Sequence, residues 1–267
     1  MSQSATATVG PLLRDWRQRR RMSQLDLASE AAVSARHLSF VETGRSKPSR
    51  ELVLHLADHL DVPLRERNSL LLAAGYAPVY PATSLEAEEM TPVRDALDRL
   101  LRSHEPFPAV VVDRRWDLVS ANGAALGILA DGVDPHLLEP PANTLRATLH
   151  PDGLAPMIVN LAEYGAHLVH RLQRQAIAAG DASLHDLHDE LRGYLSEAGA
   201  DDAPPPNDAS SLLFVPFVLR TPDGGELTFF STLTTFGTAL DVTMAELAIE
   251  AFFPADETTA AQLGAAR

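Results

Sequence analysis

The chain has 267 residues, 45% of them hydrophobic, enough for one large or two ordinary globular domains with packed cores. It has no cysteine, which excludes disulfides and thiolate metal or redox centres. The net charge of -14 is uneven: residues 1–80 hold 11 Lys and Arg against 8 Asp and Glu, whereas residues 81–267 hold 11 against 28. A slightly basic head on an acidic body confines any contact with nucleic acid to the head.

No apolar run approaches the roughly 18 residues needed to span a bilayer. The start, Met1-Ser2-Gln3-Ser4-Ala5-Thr6, has neither the basic residues nor the apolar stretch of a signal peptide. A cytoplasmic protein with no membrane association is expected. Residues 1–8 read as a disordered tail.

Five helices are expected in the head. Leu12, Leu13 and Trp16 mark the apolar side of the first, with four arginines around its end. Ser23 caps the second, where Leu25, Leu27, Ala28 and Ala31 are taken as one apolar side. Ser34 caps the third, with Leu38 and Val41 inward and Gly44 as its left-handed stop. Pro48-Ser49 opens the fourth, with Leu52, Leu56 and Leu60 inside, and Pro63 the fifth, which ends near Gly75. The proline-spaced run Ala77-Pro78-Val79-Tyr80-Pro81 begins a linker over 77–90.

Thr91-Pro92 opens a further helix. After it, Pro108-Ala109-Val110-Val111-Val112-Asp113 and Trp116-Asp117-Leu118-Val119-Ser120 read as two paired strands around Arg114-Arg115. Asn122-Gly123 starts a helix, and residues 156–179 and 183–195 form two more. Residues 201–210 are a polar loop. Residues 212–220 and 226–236 flank Thr221-Pro222-Asp223-Gly224-Gly225, a hairpin turn signal. The segment 243–253 is two-sided. Thr243 to Glu246 has capping-box spacing, whereas Leu247, Ile249, Ala251 and Phe253 alternate as in a strand. A strand is favoured, because a lone hairpin would leave open sheet edges.

Helix spacing alone also fits a plain five-helix bundle. More specific are Gln24, the Leu27-Ala28 pair, the short Ala31-Ala32-Val33 turn, and Glu42-x-Gly44 before a basic loop. Together they form a helix-turn-helix whose second helix enters the major groove of double-stranded DNA. Gln24 and Ser34 stand at the two helix starts. Ala35, Arg36 and Ser39 face bases, and Phe40 meets a thymine methyl. Arg36 is the candidate for a bidentate contact to guanine, with a phosphate contact or a pair with a glutamate as the alternative. Arg45, Lys47 and Arg50 supply phosphate contacts.

Residues 9–76 resemble the XRE-type, lambda-repressor-like helix-turn-helix. The run from Ser34 to Ser46, and Pro63-Leu64-Arg65-Glu66-Arg67-Asn68, resemble its MmyB-like branch. Asn143-Thr144-Leu145-Arg146 before His150-Pro151-Asp152-Gly153-Leu154, and Pro254-Ala255-Asp256, are similar to the same family. The resemblance implies an α+β, two-domain protein. An all-α five-helix bundle would precede a PAS-like domain over 91–263, a five-stranded antiparallel sheet with helices on one face. It further implies a pocket for a small apolar ligand, with fatty acids as the ligand class, and a homodimer on DNA.

The candidate ligand-binding residues are Trp116, Asn122, Arg146, Met157, Leu161, Phe217, Phe230 and Thr232. Each also has an ordinary structural role: sheet core for the phenylalanines, a helix cap for Asn122, an ion pair for Arg146. Phe214, Phe229 and Phe236 join them as possible cavity aromatics. His167 with His170, and His185 with His188, have i,i+3 spacing but no evident carboxylate to complete a metal site. No nucleophile elbow, P-loop, zincin or dinucleotide motif is present. The expected function is ligand-responsive transcription regulation without catalysis or cofactor. The alternative is a DNA-tethered adaptor or an enzyme without recognisable motifs.

Overall fold

The computed structural model describes residues 8–200 and 215–265, which form two compact units. One unit takes the chain up to Ser84 together with residues 238–245; the other takes 85–237 and 246 onward. The expected loop over 201–210, Phe214 and the first seven residues lie outside the described part.

The first unit contains α1 (Val9–Arg19), α2 (Gln24–Glu30), α3 (Ala35–Glu42), α4 (Arg50–His59) and α5 (Leu64–Ala73). Serines start three of them. Ser23 accepts from the Asp26 N–H while Asp26 returns the bond to the Ser23 N–H; Ser34 accepts from His37 and Ser49 from Leu52. Leu13, Leu27, Leu38, Leu56, Leu60 and Leu71 form the centre of one core. Leu25 does not join it and is 70% exposed. Two residues before Leu27 is about 200° around a helix, so the pair cannot share a face.

Ala32 in the turn between α2 and α3 has φ +51°, and Gly44 after α3 has φ +72°. Gly10 lets α1 lie flush on the end of α3. A Cβ there would come within 2.5 Å of the Val41 carbonyl oxygen.

Asn68 pins the following segment to α5, accepting from the Val79 and Tyr80 N–H groups and donating to the Tyr80 carbonyl. Residues 238–245 complete this unit with a single helical turn, Val242–Ala245. The Val242 N–H donates to the Pro81 carbonyl at 2.7 Å. The Asp241 carboxylate accepts from the Thr83 N–H and hydroxyl, and from the N–H groups of Thr243 and Met244.

The second unit runs α6 (Thr91–Ser103), β1 (Ala109–Val112), β2 (Leu118–Ala121), α7 (Gly123–Gly132), α8 (Thr144–Leu149), α9 (Leu161–Ala179) and α10 (Ala182–Glu197), then β3 (Phe217–Arg220), β4 (Glu226–Thr235), β5 (Ala248–Pro254) and α11 (Glu257–Ala265). The strands form one sheet in the order β2-β1-β5-β4-β3, with every neighbour antiparallel. Two strands before the long helices and three after them build it, as expected. The ambiguous 243–253 segment is both things in turn: a helical turn capped by Asp241, then strand from Ala248.

Strand alternation divides the sheet into two apolar faces. Val110, Phe217, Phe229 and Phe252 pack with Leu145, Leu168 and other residues of α8–α10. Ala109, Val111 and Ile249 turn the other way and meet Leu97 and Leu101 of α6. Helices therefore cover both faces rather than one. This agrees with β1, Ala-Val-Val-Val, being buried at all four positions.

Candidate functional site

The head places the DNA-reading candidates on one short helix and the loop after it. Ser34 and Arg36 are exposed, Ser39 and Phe40 half-buried. The Arg36 guanidinium lies 5.4 Å over the Phe40 ring, one turn on. Ala35 is half-buried and packs against the core. Arg45, Lys47 and Arg50 are exposed. Lys47 sits 5.2 Å over the Tyr76 ring, whose hydroxyl donates to the Pro48 carbonyl at 3.0 Å.

Gln24 has an internal task. Its amide donates to Glu42 at 2.7 Å. Glu42 is 2% exposed and also accepts from Arg17 Nε at 2.7 Å, Arg17 Nη2 at 2.9 Å and Arg14 Nε at 3.4 Å. Burial alone would raise the Glu42 carboxyl, yet Arg17, Gln24 and Arg14 together hold it below its ordinary value. This buried node ties α1, α2 and α3 and so sets the pose of α3, which carries the DNA-reading candidates. Sequence reading took Glu42 as part of a spacing motif and missed its partner Arg17. The available signal was a lone acid between the inward Val41 and Gly44 in a unit rich in arginine.

In the second unit a partly open cavity of about 70 Å³ lies between the sheet and the helices. Its apolar lining includes Val110, Leu129, Leu168, Phe217, Phe229 and Phe252. Thr144, Thr148, Tyr164, Arg171 and Glu250 supply its polar lining. Arg171 Nη1 donates to Glu250 Oε1 at 2.9 Å, and the Ser231 hydroxyl donates to the same oxygen at 3.1 Å. The Arg171 guanidinium lies 4.3 Å over the Trp116 ring. Trp116 is held in turn by Gln175, which accepts from its indole N–H at 2.8 Å and donates to the Arg114 carbonyl. Trp116 adopts φ +68°, a strained value for a bulky residue. Tyr164 stacks on Phe217 at 4.8 Å, and burial first, Glu250 second, push its hydroxyl pKa well up, so it is neutral.

Of the ligand candidates, Phe217 lines this cavity. Trp116 backs it through Arg171. Asn122 caps α7, accepting from the Ala125 and Ala109 N–H groups and donating to the Phe107 carbonyl. Arg146 pairs bidentately with Glu190 at 2.7 and 2.8 Å, outside the cavity lining. That bond is the first cause holding the Glu190 carboxyl down. Met157 and Leu161 pack on the core without lining the cavity. Phe230 stacks on Phe253 at 5.3 Å, and Thr232 is exposed. Alternation explains the near miss: Phe229 faces the cavity, so Phe230 and Thr232 point the other way.

Beyond Phe217 and Phe229 the sequence does not mark the lining as ligand-binding, and the unmarked residues include Phe252, Tyr164, Thr144, Thr148, Arg171 and Glu250. Arg171 follows Leu168 by three positions on α9, and Glu250 interrupts an apolar strand. Charged residues at such inward positions were the signal. The paired histidines form no three-ligand group among the described residues. His136, His150 and Asp152 do bring ligand atoms within 4.8 Å of one another. There, however, His136 Nδ1 pairs with Asp134 at 2.8 Å and His150 Nδ1 accepts the Asp152 N–H at 3.0 Å.

A helix-turn-helix unit joined to a unit with an apolar cavity defines a ligand-responsive DNA-binding regulator. The chain belongs to the family of the MmyB-like transcription regulator ligand binding domain, which matches residues 93–266; a helix-turn-helix domain matches residues 9–70. No curated protein matches the chain. Among solved structures it is similar to one described as "Structure of an RNA-binding Light-Oxygen-Voltage Receptor", at 15% identity and a TM-score of 0.29. That match covers 98% of this chain and 64% of the other. Among the described residues no helix is long and apolar enough to cross a membrane.

Proposed function

We propose that the protein is a homodimeric transcription regulator that places α3 of each head in the major groove of double-stranded DNA. Arg36, Ser39 and Phe40 read base edges, and Arg45, Lys47 and Arg50 hold phosphates. The half-sites lie about one turn, ~34 Å, apart. The second unit binds a small apolar ligand built on an acyl chain, the class to which fatty acids belong. The ligand alters operator affinity to the extent that it binds the DNA-competent and incompetent forms unequally.

The cavity carries this reading. Protein interiors rarely leave voids much larger than a water molecule, and this one is apolar with a few convergent polar groups, the character of a ligand site. Its enclosed space is small beside the ~150 Å³ that admits benzene in an engineered cavity. A chain of more than a few carbons must extend through the open side or displace the lining.

Two measurements test the two halves. After selection of an operator from random duplexes, fluorescence anisotropy compares Arg36→Ala with the wild type. The substitution weakens binding by about 1–3 kcal/mol and relaxes preference at one position per half-site. An unchanged base preference removes Arg36 from the readout. Native mass spectrometry of the gently purified full chain shows a bound acyl compound that Phe217→Trp excludes by filling the cavity; retention by the variant places the ligand elsewhere.

A further inference from the structure

The polar groups of the cavity carry information about the head group of its guest. Arg171 is not a free cation waiting for an anion, since Nη1 already donates to Glu250. The Glu250 side chain is 7% exposed, and both residues line the cavity. The remaining valences are complementary. Arg171 Nη2 is a buried donor with no hydrogen-bond partner among the described residues. Glu250 Oε1 accepts from both Arg171 and Ser231, which leaves Oε2 as an acceptor. The Tyr164 hydroxyl, neutral and beside this pair, can donate or accept.

Resting on the reading of this cavity as the ligand site, we propose that Arg171 and Glu250 recognise an uncharged head that both donates and accepts a hydrogen bond. A primary amide or an alcohol on an apolar chain fits; an ionised carboxylate does not. The ion pair makes the local charge zero, so a carboxylate would bring a second negative charge beside Glu250 in a low-dielectric space, where like charges repel strongly. It would also leave the Glu250 acceptor facing another acceptor. An amide donates its N–H to Glu250 while its carbonyl takes the Arg171 Nη2 donor, satisfying both. Trp116, pinned by Gln175, keeps the guanidinium in place for this. The fatty-acid class is thereby narrowed to neutral derivatives.

Isothermal titration of the full chain at pH 7.5 with octanamide, octanol and octanoate tests it. Octanamide and octanol bind at least tenfold more tightly than octanoate. In Glu250→Gln, which removes the negative charge, the octanamide-to-octanoate affinity ratio falls at least tenfold. Wild-type octanoate binding as tight as octanamide binding, with both lost in Phe217→Trp, overturns the head-group assignment and leaves the cavity as the ligand site. Absence of binding by all three probes, or binding indifferent to Phe217→Trp, overturns the cavity reading itself. The wild-type comparison stands without the Glu250 variant, should that chain fail to fold.

Discussion

Glu42 shows how one buried side chain fixes the placement of a helix whose outer face carries the proposed base contacts. Its carboxylate is buried, and its partner Arg17 is nearly so, with side-chain exposures of 0% and 9%. Removing one member of such a pair strands the other charge, which typically costs about 3–5 kcal/mol. Glu42→Gln therefore destabilises the first unit by about 3 kcal/mol at neutral pH. The pH dependence has a definite sign. The folded carboxyl lies below its ordinary value, so the stabilisation is complete above the unfolded carboxylate pKa of about 4.3 and disappears as pH falls through the lower folded value. Hydrogen exchange of α1–α3 amides follows this. The gap between wild type and Glu42→Gln is widest near neutrality and closes on acidification. A gap independent of pH would show that the carboxylate charge is not what holds the three helices.

At the scale of elements, the helices and strands were legible because their signals are local. Ser23, Ser34 and Ser49 cap the helices they were expected to start, and the turn at Gly224 links two strands as its composition implies. The cavity lining was not legible, since it depends on register between strands distant in sequence. Phe217 pairs with Phe229 and Ser231 with Phe252, which is what turns Phe229 and Phe252 toward one space and Phe230 away from it. Nothing local distinguishes Phe229 from Phe230.

The 238–245 segment is a similar case. Its membership of the first unit follows from Asp241, whose side chain meets Thr83 far back in the chain. Asp241→Ala removes a helix cap and two bonds to Thr83, at a cost of about 1–2 kcal/mol locally. Amide exchange at Thr83 and Val242 then speeds up several-fold while α1–α4 stay protected. Unaltered exchange at Thr83 would assign the docking of this segment to other groups.

For the whole molecule, the charge distribution limits how DNA is held. The acidic body, with 28 Asp and Glu against 11 Lys and Arg over residues 81–267, repels a polyanion, so counterion release must come from the head. There the exposed candidates are few. Arg14 and Arg17 belong to Glu42, Arg20 donates to the Leu60 and Asp61 carbonyls, and Arg67 pairs with Asp58. If Arg45, Lys47 and Arg50 each neutralise one phosphate, a dimer neutralises about six, and the slope of log K against log salt is about −5. Lys47→Ala lowers the magnitude by about 1 per head without changing the preferred sequence, whereas Arg36→Ala changes the preference. A wild-type slope steeper than about −8 would mean that cations outside this set reach the backbone. A slope insensitive to Lys47→Ala would place the loop after α3 off the DNA, and the docking of α3 proposed above would fail with it.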